Sequence, residues 1–138
     1  NESSWSKALE SLAEGNQAWA KNAPLLALAC ADSKNRNNEE NRWGVYDTGS
    51  ASENLCLQAT ALGLMAHQMG GFSVEKVRNY FNIPERYIPM SMISIGYQLA
   101  QNEIPENMKE RECSSRFRNP LCMNFFEGAW DKPIVNSN

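Results

Sequence analysis

Little in this 138-residue chain invites reactive side-chain chemistry. There is one histidine, His67, and no second ligand stands at metal-binding spacing from it, so no metal site is expected. The four cysteines, Cys30, Cys56, Cys113 and Cys122, contain no C-x-x-C pair and are too sparse for a disulfide framework at this length. Reduced thiols are expected. Carboxylates are scattered, and none is paired in a way that demands acid–base work. No G-x-G-x-x-G fingerprint occurs. The longest apolar run, Ala23 to Ala31, is broken by Pro24 and falls far short of the roughly 20 residues of a membrane span. A net charge of −3 supplies no global positive field for nucleic acid or anionic lipid. Residues Asn1 to Trp5 have neither the basic region nor the apolar core of a signal peptide. The expectation is a cytoplasmic protein of one domain, 1–138, at about 100–200 residues per domain.

What is present is a set of apolar patterns. Trp5, Ala8, Leu9, Leu12, Trp19 and Ala23 recur near helical spacing, with Ser3 or Ser4 able to cap and Pro24 closing the segment. Gly15 weakens that pattern. Leu25 to Ala31 reads as a strand covered on both faces. Asp32 to Arg42 is polar and reads as a solvated loop. Ser50-Ala51-Ser52-Glu53 has capping-box form, and Asp47 or Thr48 could start the helix earlier. From Leu55 to Ala66 nearly every residue is apolar or small, which predicts a helix buried all round and broken at Gly70-Gly71. Ser73 caps a shorter helix with Val74, Val77, Tyr80 and Phe81 on one face. Met90 to Tyr97 reads as a second buried strand, and Gln98 to Glu112 as a polar loop. Two strands are too few to close a sheet, so a partner or further chain is expected to supply more.

Three stretches resemble the flavin-dependent nitroreductase family. The first is Asn16-Gln17-Ala18-Trp19-Ala20-Lys21-Asn22-Ala23-Pro24 before an apolar strand. The second runs from Asp47-Thr48-Gly49-Ser50 through Leu55 and Gly63-Leu64 to His67-Gln68-Met69-Gly70-Gly71-Phe72. The third is Ile93-Ser94-Ile95-Gly96-Tyr97, with Arg116-Phe117-Arg118-Asn119-Pro120-Leu121 after it. The resemblance covers about Trp5 to Trp130 and matches the C-terminal two-thirds of a family member. The family's usual N-terminal helices and first strand have no counterpart here. Truncation, a separately encoded chain or a degenerate member would each account for that.

The resemblance implies an α+β fold: a three-layer sandwich, a mixed sheet flanked by helices, in an intertwined homodimer. It implies FMN as cofactor, with NAD(P)H as co-substrate. A nitroaromatic, quinone or similar small molecule is then the acceptor. It places Met69, Gly70 and Gly71 beside the flavin ring and Arg116 and Arg118 on its phosphate. Glycine permits close backbone approach, and arginine's planar fork suits a phosphate. Read without the resemblance, Gly70-Gly71 is a helix C-cap and the arginines are solvated. Trp43 and Tyr46 are candidates to line the acceptor pocket, or simply pack a loop. No catalytic side chain is assigned, because the cofactor carries the chemistry. His67 is read as structural, at a helix end. Residues 121–138 form a tail that wraps the partner. The alternative is a non-catalytic fragment, or an FMN-binding and dimerisation module without the N-terminal half of the site.

Overall fold

The first amphipathic stretch forms two helices rather than one. The computed structural model describes residues 1–134, so the end of the expected tail, 135–138, lies outside the described residues. Helix α1 (Glu2–Ser11) is capped by Asn1, whose Oδ1 accepts the Ser3 N–H at 3.1 Å, in place of the expected serine cap. The chain extends at Leu12 and re-enters a helix as α2 (Glu14–Ala20). Tertiary pairing causes this break. The Ala13 N–H donates to the Gly71 carbonyl at 2.9 Å, and the Ser73 N–H donates to the Ser11 carbonyl at 2.7 Å. Leu12 itself forms a bridge with Phe72.

Strand β1 (Leu25–Asp32) lies where the apolar run places it. Helix α3 (Gly44–Ala61) then begins earlier and ends earlier than the sequence pattern predicts. Ser50 is no cap; its hydroxyl donates to the Tyr46 carbonyl within the helix at 3.1 Å. Gly63, at φ 76°, stops α3. The Gly63 N–H donates to Thr60 O at 3.0 Å and the Leu64 N–H to Ala59 O at 2.9 Å, the paired bonds of a Schellman ending. Met65–Met69 is therefore not helix but strand β2, and His67 lies mid-strand rather than at a helix end.

Helix α4 (Val74–Phe81) follows, with the Ser73 hydroxyl accepting the Lys76 N–H at 3.2 Å as expected. Strand β3 (Tyr87–Gly96) completes a sheet of order β1-β3-β2. The α+β class holds, but both strand pairs are antiparallel, so the described sheet is not the mixed one expected. Proline is tolerated in the central strand because β2 pairs only from Met92 onward. Pro89 sits opposite Cys30, where the β1–β3 register shifts.

Alternation along the strands divides the core in two. Met69, Met92, Leu26 and Leu28 face α1, α2 and α4, packing with Ala8, Leu12, Ala20 and Val77. Ile93, Ile95, Ala27, Ala29 and Ala66 face α3, packing with Ala59, Cys56 and Leu64. This makes three layers within the first compact unit, Asn1–Gln98.

The second unit starts at Leu99. The stretch read as loop contains helix α5 (Glu106–Glu112), stabilised by a Lys109–Glu106 ion pair of 2.6 Å. A 3₁₀ turn at Leu121–Met123 follows. Phe126 bridges Pro133 and stacks on Trp130 with ring centroids 4.9 Å apart.

Candidate functional site

Met69, Gly70 and Gly71 stand at the exit of β2, where the strand leaves the sheet and turns into α4. Met69 is buried and anchors the turn in the core, while both glycines are exposed. Neither glycine has positive φ, and the element before them is a strand, which overturns the helix C-cap reading. The two glycines have different reasons to be glycine. The Gly71 carbonyl accepts from Ala13 N–H at 2.9 Å and from Asn16 Nδ2 at 3.1 Å. A Cβ on Gly71 would come within 2.8 Å of that Asn16 nitrogen. At Gly70, a Cβ would meet nothing within 4 Å. A side chain at Gly71 would therefore push the Asn16 amide aside, whereas Gly70 has room for one. Among the described residues, neither glycine N–H donates to a backbone acceptor.

Trp43 and Tyr46 stand at the start of α3, 57% and 69% exposed. Their rings meet edge to face at 6.3 Å and 78°. The Arg42 guanidinium lies over the Trp43 ring at 4.9 Å. Asn41 fixes this corner: its Oδ1 accepts the Trp43 N–H at 3.2 Å, and its Nδ2 donates to the Asp32 carbonyl at 3.0 Å. Gly44 is buried here and must be glycine, because a Cβ would overlap that same carbonyl oxygen. Both rings are exposed and pack chiefly on one another and on Arg42.

Arg116 and Arg118 lie in the second unit, on the irregular segment between α5 and the Leu121 turn. Both are exposed, and Arg118 Nη1 donates to the Phe117 carbonyl at 2.8 Å. Ion pairs among the described residues use Lys76, Arg86 and Lys109 instead.

The remaining candidates are structural. His67 packs its ring edge to face on Trp19 at 5.1 Å. The four cysteines are free, and burial pushes the Cys30 thiol upward. No cluster of metal-ligating side chains occurs among the described residues. An open groove of about 480 Å³ beside β1 is lined mainly by apolar side chains, including Trp5, Leu28 and Phe81, and by no carboxylate, imidazole or thiol. Sequence reasoning gave no role to Asn16 or Asn41. Each acts by bonding to backbone far along the chain or across a loop, and no local pattern encodes that.

Known proteins agree with this architecture. The chain is 31% identical to a solved oxidoreductase containing FMN, with a TM-score of 0.82 over 93% of this chain and 66% of that one. A nitroreductase family protein from Clostridium difficile shares the fold, with a TM-score of 0.65 at 23% identity, covering 94% of this chain and 70% of that one. A protein of Methanothermobacter thermautotrophicus, provisionally named NADH dehydrogenase/NAD(P)H nitroreductase, is 39% identical over 84 residues. Those residues are 58% of this chain and 43% of the archaeal one. An uncharacterized 15.4 kDa protein in the ask 5′ region of Mycolicibacterium smegmatis is 30% identical over 91% of this chain and 84% of its own length. This chain thus spans less than half of the archaeal relative and about two-thirds of the FMN-containing one. The nitroreductase family model matches residues 2–97, the whole three-layer unit with its glycine turn, and the chain belongs to the nitroreductase family.

Proposed function

We propose that this chain is an FMN-binding oxidoreductase that passes reducing equivalents from NAD(P)H to a nitroaromatic, quinone or similar planar acceptor. The observation that carries the reading is Gly70. It lacks a side chain where the protein has space for one, at an exposed turn whose N–H groups point to no backbone acceptor among the described residues. A flat ring approaching the backbone would account for that, since only glycine lets the main chain come so near. The donor chemistry fits: backbone N–H groups can hold a flavin's polar edge without adding a titratable charge.

FMN, when bound, supplies the hydride chemistry, so no side chain is assigned a catalytic step. Met69 secures the turn from inside the core. Asn16 and Ala13 hold the Gly71 carbonyl, and the Phe72 N–H donates to the Gly70 carbonyl at 3.1 Å, which fixes the peptide plane that carries the Gly71 N–H. Arg116 and Arg118 are assigned to the phosphate, and Trp43 and Tyr46 to the acceptor. The protein works as a homodimer, or with a chain that supplies further sheet. Leu57 and Leu62 of the α3 region are 60% and 65% exposed, which suits a covered surface. The described part of the tail, 121–134, is assigned to the partner's surface; its Leu121, Met123, Phe125 and Trp130 are all exposed. Free thiols at all four cysteines suit a cytoplasmic setting. No helix among the described residues is long and apolar enough to cross a membrane.

The test is the visible spectrum of the purified protein. Absorption near about 450 nm, bleached by NADH, is the expected result. A colourless protein that takes up no added FMN overturns the proposal and favours the non-catalytic fragment. Replacing Arg116 and Arg118 together by alanine lowers flavin retention; an unchanged FMN titration would remove both from the site.

A further inference from the structure

Arg42 has no part in the roles assigned above, yet it belongs to a fixed arrangement. Its guanidinium carbon stands 4.9 Å from the Trp43 ring centroid, and Trp43 in turn meets Tyr46. All three side chains are exposed. Asn41 ties the corner to β1, and the close approach of Gly44 to the Asp32 carbonyl holds the start of α3 in place. The ion pairs among the described residues do not include Arg42. A guanidinium over an indole uses its face on the ring and keeps its N–H donors around the rim.

We infer that Arg42 is a specificity-determining residue, selecting planar aromatic acceptors that carry a carboxylate over neutral acceptors of the same shape. This rests on the reading of Trp43 and Tyr46 as the acceptor side of the site. An aromatic acid laid against these rings presents its carboxylate to a fork of N–H donors that matches it geometrically. A neutral analogue keeps the ring contact and loses only the charged one.

The experiment titrates p-nitrobenzoate and p-nitrobenzyl alcohol into the protein and follows quenching of tryptophan fluorescence. The acid is expected to bind on the order of fivefold tighter at low salt, and the advantage shrinks in about 0.5 M NaCl. Arg42→Gln removes the advantage and leaves the alcohol's affinity unchanged, while Arg42→Lys keeps part of it. The FMN-loaded protein shows the same change in the ratio of kcat/KM values. Equal binding of the two compounds to the wild type, or a preference that survives in Arg42→Gln, overturns the inference. Trp43→Phe separates it from the reading beneath: quenching that is unaltered in Trp43→Phe places the acceptor elsewhere and ends both. If Trp43→Phe loses quenching while Arg42→Gln keeps the preference, only the role of Arg42 falls.

Discussion

The two faces of the sheet are closed to different degrees. Toward α1, α2 and α4 the strands present Met92, Met69, Leu26 and Leu28, and the helices answer with Leu12, Val77 and Ala20. Large side chains interlock there, and Met92 is 0% exposed. Toward α3 the sheet presents Ala27, Ala29 and Ala66 beside Ile93 and Ile95. Small residues let the helix lie close, and the far side of α3 keeps apolar side chains in water. One face is finished by this chain; on the other, the outer side of α3 leaves Leu55 and Leu57 exposed. The helix expected to be buried all round is not: α3 ends at Ala61, and only Gly44, Ser52 and Ala59 of it are buried.

The largest expected effect is on the finished face. Met92→Ala removes a fully buried side chain from a packed cluster and costs about 3 kcal/mol, within the range for such truncations. Urea or thermal unfolding measures it. A loss below about 1 kcal/mol would mean that this face is no better packed than the other, and the contrast would fail.

The contrast also explains what the sequence revealed. The finished face was largely legible from local spacing: Val77 and Phe81 of α4 pack into it and Ser73 caps the helix, although Val74, expected on the same stripe, is exposed. The other face was misread because Met65-Ala66-His67-Gln68-Met69 continues α3's apolar composition with helix-compatible residues. Strand pairing with Gly96 through Met92 overrode that propensity. Gly63 held the signal, a left-handed stop just past the true helix end, but the later Gly70-Gly71 drew the boundary instead. The break between α1 and α2 was hidden because it is made by residues 71–73, some sixty positions away. Helix α5 was missed because six polar or charged residues around the single Met108 carry no apolar stripe. For the candidate site, the sequence nominates Gly70, Gly71, Trp43 and Tyr46, whereas the bonds of Asn16 and Asn41 that hold their surroundings exist only in the folded chain.

Next in size is the pair of glycines at the rim of the finished face. Gly71→Ala pushes the Asn16 amide off the Gly71 carbonyl and costs about 1 kcal/mol, the worth of one side-chain hydrogen bond. Gly70→Ala meets nothing and leaves the unfolding midpoint nearly unchanged. Its effect is expected on FMN uptake alone. Thermal melts combined with flavin titration separate the two. Equal destabilisation by both substitutions would show that Gly70 is a packing requirement too.

A smaller effect lies at the end of the β1–β3 ladder. Arg86 donates to Asp32 through Nε at 2.6 Å and Nη2 at 2.7 Å, and these bonds hold the Asp32 carboxyl below its usual value. Glu10 is lowered in the same way, first by the Tyr80 hydroxyl. A carboxylate with a lowered folded value contributes its full stability above the unfolded value of about 4 and loses it as pH falls through the folded one. Acid unfolding below about pH 4 should therefore be less steep in Asp32→Asn than in the wild type. Identical pH profiles would remove Asp32 from the linkage and leave Glu10 to account for it.

The smallest expected change sharpens the contrast most. Leu57 is largely exposed on α3, so Leu57→Ser in a dilute monomer alters stability by less than about 0.5 kcal/mol. If a second copy covers α3, the wild type gains stability as concentration rises, because association favours the folded state by mass action. Leu57→Ser then loses that concentration dependence while Met92→Ala keeps it. Unfolding measured across a hundredfold range of protein concentration, with sedimentation velocity on the same samples, reads both effects. A wild-type midpoint that stays constant over that range would mean that α3's outer surface is as finished as the opposite face, and that its exposed leucines need no partner.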